Sequence, residues 1–501
     1  MKSFFFVLML FFLLTNTAFS QQNIFISGKL KMKPGTTIRL SKYKDYISLD
    51  RERLATVKTR ADSSFNVSFS VPSASIVNIS VNELGLDALL YPDRHYSFDL
   101  ASTLNEHTGN LLIVTDNQDT NPQIVLNKAY QVFSDSVLSL ILKSNHQRPT
   151  KKEIDLFNAA VDEAIQQTPD AFCRDLMQSR RVDYLTMSRA VSFSSAFNQF
   201  FDCKKLPMTN PAFQSLLYSN FTKYFDLGPP YITSLNLFKG IPDSLHFSGL
   251  MHMLSVDQSL KCIPVRETVL LGNIYSMVKD GELSPAKGTS LLKEAALASS
   301  DPFNQQMAKN LENSFLRLQT GNAIPDFSFF YPDGSTHQLS SYKGKPLYIT
   351  FFTLKGIADR TLLSQIADVE HFADSIGVAN FICITADADH ETIEKYWAKQ
   401  KYQMQLAFAP DDYEMIDFFN AYTCPSFVLL DSKGQLNTLA PNFPGEQLLK
   451  QLISLYQSDN PQQPEIKVRK DLPKSNPQKQ GDSHYLPGYP LPPSLQKASK
   501  K

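Results

Sequence analysis

The hydrophobic period of this chain changes twice, and those two changes limit what it can fold into. Up to about residue 115 apolar residues alternate with polar ones, as in Ile24–Leu30, Thr37–Leu40 and Ser64–Phe69, with turn residues at Pro34-Gly35 and Asp62-Ser63 between them. A period of two over short runs, broken by turns, describes strands with one buried face. Residues 21–115 are therefore expected to form an N-terminal antiparallel β-sandwich. From 120 to 318 the period lengthens to that of a helix. Leu126, Ala129, Phe133, Val137, Leu140 and Ile141 make one stripe, and Asn121-Pro122 supplies a cap and a first turn. Thr150 and Glu153 have capping-box spacing ahead of Ile154, Phe157, Val161 and Ile165. Ser284-Pro285 and Asp301-Pro302 start two more helices, so an all-α middle region is expected, its stripes serving as core-packing faces.

After Gly321 the order becomes strand, helix, strand, helix, hairpin, helix. The expected elements are a buried strand over Pro346–Phe352, a helix over Leu362–Ser375, a strand over Val378–Thr385 and a helix over His390–Lys401. A hairpin, Ser426–Asp431 and Leu436–Ala440 around Ser432-Lys433-Gly434, and a helix over Gly445–Gln457 complete an α/β sandwich spanning 321–457. Residues 458–501 are rich in Pro, Gln, Ser and Lys and are expected to be a disordered tail, with an extended Pro-rich docking segment as the functional reading.

The two ends and the charge bound the function. Lys2, the apolar run Phe4–Leu14 and the small residues Ala18 and Ser20 have the form of a signal peptide over 1–20, with Gln21 as the first mature residue. That run is too short to span a bilayer, no later stretch is apolar enough, and no cysteine follows for lipid attachment. The mature chain is expected outside the cytoplasm, periplasmic or outer-membrane associated, with no transmembrane segment. Lys plus Arg number 49 and Asp plus Glu number 49, so the net charge is zero and nothing points to nucleic acid.

The cysteines restrict the chemistry further. There are five, Cys173, Cys203, Cys262, Cys383 and Cys424, so at least one stays outside any intramolecular disulfide. No two lie within three residues, which excludes C-x-x-C and zinc-knuckle spacing. The nine histidines show no H-E-x-x-H pattern. No metal or cofactor is expected. Hydrolysis finds no G-x-S-x-G elbow.

Several segments of 321–457 resemble the thioredoxin-like family, specifically its exported TlpA-like and redoxin branch. They are Ile324-Pro325-Asp326-Phe327, Asp333-Gly334, Leu339–Pro346, and Tyr422–Asp431 followed by Ser432-Lys433-Gly434-Gln435. The resemblance makes Pro425 the family's cis-proline. It extends to the front of the chain, because such proteins often carry an N-terminal all-β domain and a helical region. Leu206–Phe213 resembles a segment that recurs in them, and Asn210-Pro211 within it caps and starts a helix.

The resemblance implies disulfide chemistry directly after the first core strand, where a W-C-x-x-C motif opens a helix and the helix N-terminus lowers the first thiol's pKa. Residues 351–360 of this chain read Phe-Phe-Thr-Leu-Lys-Gly-Ile-Ala-Asp-Arg, and no cysteine occurs between Cys262 and Cys383. Neither two-thiol exchange nor a peroxidatic cysteine in this loop carries over. Cys424, just before the cis-proline, is the remaining candidate thiol, with Lys355 or Arg360 as basic residues that approach it in space. Its structural alternative is a small side chain filling a slot. Cys383, mid-strand, reads as core.

Two functions follow. In the first the chain is a redox-inactive envelope protein, a binding or scaffold module rather than an enzyme. Its groove, formed by Thr423, Cys424, Pro425 and Lys355, takes an extended peptide or a protein partner of the cell envelope. The alternative is a thiol-disulfide oxidoreductase-like enzyme using Cys424 or a distant cysteine pair.

Overall fold

The computed structural model describes residues 23–81, 84–105, 108–115, 121–144, 148–227, 246–354, 357–386, 389–410, 413–421, 424–439 and 441–462. The signal peptide, most of the Pro-rich tail, Thr423 and Lys355 fall outside these residues. The chain divides into two compact units, one of residues 1–42 and 53–125, the other of 43–52 and 126–501.

Among the described residues the first unit is built on nine strands: β1 (Asn23–Lys29), β2 (Thr37–Tyr43), β3 (Arg51–Lys58), β4 (Ser64–Ser70), β5 (Ser75–Val81), β6 (Leu84–Leu90), β7 (His95–Ser97), β8 (Asp99–Asn105) and β9 (Thr108–Val114). They form sheets in the orders β4-β1-β7, β3-β2-β5-β6 and β8-β9. Alternation along β1 and β4 sends Ile24, Ile26, Phe65 and Phe69 inward, where they share one core with Ile38, Leu40, Val77 and Ile79. The expected turns are present: Gly35 has φ +80°, and Asp62 Oδ1 accepts from Ser64 N at 3.0 Å.

One pairing departs from the all-antiparallel expectation. β1 and β7 run parallel, with Phe25 opposite His95 and Ser27 opposite Ser97. Three-residue β7 carries too little pattern to announce its direction. The close passage beyond β7 requires Gly28, where a Cβ would collide with the Phe98 carbonyl.

In the second unit the helices are α1 (Pro122–Ser144, whose first residues belong to the first unit), α2 (Lys151–Gln167), α3 (Ala171–Met187), α4 (Phe193–Phe200), α5 (Pro211–Phe221), α6 (Tyr224–Leu227), α7 (Phe247–Leu254), α8 (Ile263–Lys279), α9 (Pro285–Ala298) and α10 (Pro302–Arg317). The cap signals sit where the sequence puts them. Thr150 and Glu153 close a capping box, Asn210 Oδ1 accepts from Ala212 N at 3.1 Å, and Asp301 Oδ1 accepts from Phe303 N at 2.9 Å. Leu126, Ala129, Phe133, Phe157 and Val161 of the predicted stripes are buried.

Residues 43–52 fall inside the span 21–115 expected to form the β-sandwich, and they group instead with these helices. Asp45 is buried and accepts from Ile47 N, Ser48 N and Ser48 Oγ, and from Asn310 Nδ2 at 3.2 Å. Asp50 pairs with Arg317 at 2.8 Å, and Ser48 O accepts from Asn420 Nδ2 at 3.4 Å.

The remaining strands, β10 (Ser328–Phe330), β11 (Thr336–Gln338), β12 (Leu347–Phe351), β13 (Asn380–Thr385), β14 (Gln405–Phe408), β15 (Ser426–Leu430) and β16 (Leu436–Thr438), make one sheet in the order β11-β10-β14-β13-β12-β15-β16. β13 runs parallel to β12 and β14, whereas β15 is antiparallel to β12 and β16. Helices α11 (Ile357–Ser375), α12 (His390–Gln400) and α14 (Glu446–Asp459) pack one face of this sheet, and α13 (Glu414–Phe419) packs the other. Alternation along β12 sends Tyr348 and Phe352 to the first core and Leu347, Ile349 and Phe351 to the second. This topology is a thioredoxin-like fold over part of the chain. α14 runs two residues past the expected end at 457, because Asp459 Oδ2 accepts from Ser432 N at 3.1 Å and ties the last turn to the hairpin.

Candidate functional site

The site is set by how β12 and β15 meet. Their antiparallel register places Phe351 opposite Ser426, so the end of β12 lies beside the start of β15. The peptide bond leading into β15, Cys424–Pro425, is cis. Cys424, Pro425, Ser426 and Phe427 are half-buried, and Val428–Leu430 are buried, so β15 enters the sheet from an open end. β16 pairs with β15 at Leu429 and Leu430, and Phe427 lies opposite Thr350 of β12. Phe427 stacks on Tyr348 at 5.8 Å, and Phe443, 63% exposed, packs edge-on to Phe427 at 6.3 Å. The cis-proline is therefore followed by an aromatic shelf that faces solvent.

Beyond Phe351, in the position where the family's resemblance calls for thiols, the chain supplies packing. Phe352 is buried against Trp397 at 5.5 Å, and Leu354 joins the same core. Arg360, one of the two basic residues looked for near Cys424, is exposed and donates from Nη2 to the Leu354 carbonyl at 3.3 Å. The other, Lys355, lies outside the described residues, as does Thr423. Cys424 is half-buried and packs against the second core.

The other cysteines divide into two kinds. Cys383 is fully buried on β13, its Sγ 3.9 Å from Met404 Sδ, and burial pushes its thiol pKa up. Cys173 is buried on α3, its pKa pushed up to about 12 by burial and, to a lesser extent, by the nearby Asp170 carboxylate. Thiols held in this way are poor sources of thiolate. Cys203 and Cys262 form a disulfide across 59 residues of sequence, with Cα atoms 5.5 Å apart. That pairing has no local signature, and spacing alone left it open. Among the described residues no group of three His, Cys, Asp or Glu side chains is placed to hold a metal, and no helix is long and apolar enough to cross a membrane.

No protein-family model matches the sequence, and no curated protein matches it. Solved structures do. A thioredoxin-like protein from Bacteroides caccae aligns over 42% of this chain and 77% of its own, at 8% identity and a TM-score of 0.33. A thiol:disulfide interchange protein from Bacteroides sp. aligns over 28% of this chain and 92% of its own, at 15% identity and a TM-score of 0.26. The exposed lipoprotein thioredoxin of Streptococcus pneumoniae aligns over 26% of this chain and 99% of its own, at 22% identity and a TM-score of 0.22. Likenesses at this level assign no activity to the chain.

Proposed function

We propose that this chain is an exported envelope protein whose thioredoxin-like region binds an extended segment of a partner protein and carries out no disulfide exchange at its groove. The observation that carries this reading is the β12–β15 register, which sets the Cys424-Pro425 entry to β15 beside a thiol-free segment, Phe352-Thr353-Leu354. Exchange needs an attacking and a resolving thiol, and only one sulfur is present there. Peptide capture needs apolar ground for side chains, which the half-buried Phe427 and the exposed Phe443 supply beside β15. Pro425, Cys424, Thr423 and Lys355 are the groove residues of this reading.

The mature protein and its Cys424→Ser variant are compared in the reduction of insulin by dithiothreitol. The binding reading expects no turnover above the protein-free control from either. Turnover that disappears in Cys424→Ser would make Cys424 a catalytic thiol and end the reading. Export is tested by the mass of the protein recovered from the envelope, which is expected to begin at Gln21. The alternative, an oxidoreductase-like enzyme using Cys424 or a distant cysteine pair, has one observation in its favour: the Cys203–Cys262 bond.

A further inference from the structure

We propose that the Cys203–Cys262 disulfide is the chain's point of thiol–disulfide exchange, attacked at Cys203 by an external protein dithiol, with Cys262 as the leaving thiolate. The proposal goes beyond groove binding and rests on different residues.

The bond is accessible from one end only. Cys203 is exposed, in the turn that follows α4, with the exposed Lys204 and Lys205 next to it. Cys262 is 5% exposed and sits between the exposed Lys261 and Ile263. An incoming thiolate therefore meets the Cys203 sulfur. Three lysines on these two short segments outweigh the one acid, Asp202, whose Oδ1 accepts from Lys204 N at 3.0 Å. The nearby Arg266 is occupied, donating to the carbonyls of Leu260 and Met251. A positive surround favours both the approaching thiolate and the charge that develops on the departing sulfur.

The leaving end is placed to accept that charge. Cys262 is the N-cap of the 17-residue helix α8, and its side chain makes no capping hydrogen bond. At the equivalent position of other helices in this region Thr150, Asp170, Ser192, Asn210, Ser284 and Asp301 each put an oxygen on a first-turn N–H. On cleavage the Cys262 sulfur becomes an anion where those helices hold an acceptor, at the positive end of the helix dipole. A thiolate stabilised in this way is the better leaving group. The exposed Met253, Val256 and Ile263 add apolar surface to the same stretch of chain, which suits a protein reductant.

The step balances as follows. A thiolate of the partner bonds to Cys203 Sγ, the Cys203–Cys262 bond breaks, and its electron pair leaves on Cys262 Sγ, which takes a proton from water. The partner's second thiolate then displaces Cys203, whose sulfur leaves as a thiolate and takes a proton from water, closing the partner's own disulfide. Two electrons pass from the dithiol to this chain, which ends with two thiols.

The test uses reduced glutathione as probe on the full mature chain under native conditions, followed by acid quench, alkylation and peptide mass mapping. The rate is expected to rise in proportion to glutathione and roughly tenfold per pH unit between 6 and 8, as the thiolate fraction does. The glutathione adduct is expected on Cys203 over Cys262 by on the order of tenfold. A rate independent of glutathione concentration, which means reduction only through unfolding, would overturn the proposal, as would an adduct shared equally or found on Cys262. The Cys424→Ser protein is expected to give the same map, so failure here and failure of the groove reading are distinguished.

Discussion

On the helical side the buried Glu267 carboxylate has bonded neighbours. Glu267 on α8 accepts from Ser300 N at 2.6 Å and from Asn304 Nδ2 at 3.0 Å, and Asn304 Oδ1 accepts from Thr268 Oγ1 at 2.8 Å. In the seven-stranded sheet, Tyr348 on the interior strand β12 buries its hydroxyl without a hydrogen-bond partner among the described residues. The difference follows from how each architecture satisfies its main chain. Helices end inside the region and release N–H groups such as that of Ser300, between α9 and α10, so a side chain must meet them. Strands spend their main-chain groups on neighbouring strands, so the Tyr348 hydroxyl meets no free main-chain group beside it.

This contrast is open to test, beginning with the covalent link that only the helical region carries. Replacing Cys203 and Cys262 together by Ser is expected to lower unfolding free energy by about 4 kcal/mol in a urea titration, the chain-entropy figure for a loop of this length. Equal midpoints for parent and variant would mean the link constrains nothing the packed helices do not already hold. Glu267→Ala is expected to cost about 3 kcal/mol, since it strands the Ser300 N–H and the Asn304 amide. A loss well under 1 kcal/mol would show that water replaces the carboxylate and would remove the contrast.

Acid–base behaviour sharpens the same comparison. Burial raises the pKa of Asp183 above its ordinary 3.8, with the hydrogen bond from Ser219 and the charge of Arg180 opposing. A raised carboxyl binds its proton more tightly in the folded state. Its contribution is therefore full below pH 3.8 and is lost as pH rises through the folded value. Asp183→Asn is expected to gain on the parent between pH 4 and pH 7, read from melting temperatures across that range. A constant offset would place the proton elsewhere. The smallest effect is expected in the sheet: Tyr348→Phe should leave stability within about 1 kcal/mol of the parent, on the favourable side. A larger loss would mean the hydroxyl has a partner after all.

What was legible in the sequence was local. Thr150 with Glu153, Asn210 before Pro211 and Asp301 before Pro302 each act within a single turn, and each marks a helix start in the structure. The strands β12, β13 and β15 were legible because a central strand buried on both faces must be apolar throughout. Four-residue β14 and six-residue α13 are too short to build a period, and they passed unread. The parallel β1–β7 pairing, the Cys203–Cys262 link and the place of residues 43–52 join positions far apart in the chain, and no window of sequence contains both halves. At the candidate site the cis-proline position was legible as a motif. The aromatic shelf was not, because Phe443 reaches Phe427 from a loop beyond the next strand.

The grouping of residues 43–52 with the second unit makes that unit discontinuous in the gene. A cut near residue 120 separates Asp45 and Asp50 from Asn310 and Arg317, and the fragment on the far side keeps a buried amide and a guanidinium with their carboxylates gone. The second unit is therefore complete only when the segment 43–52 comes with it. Any recombination that traded one half of this chain for a homologous half would have to carry a ten-residue piece of the other with it.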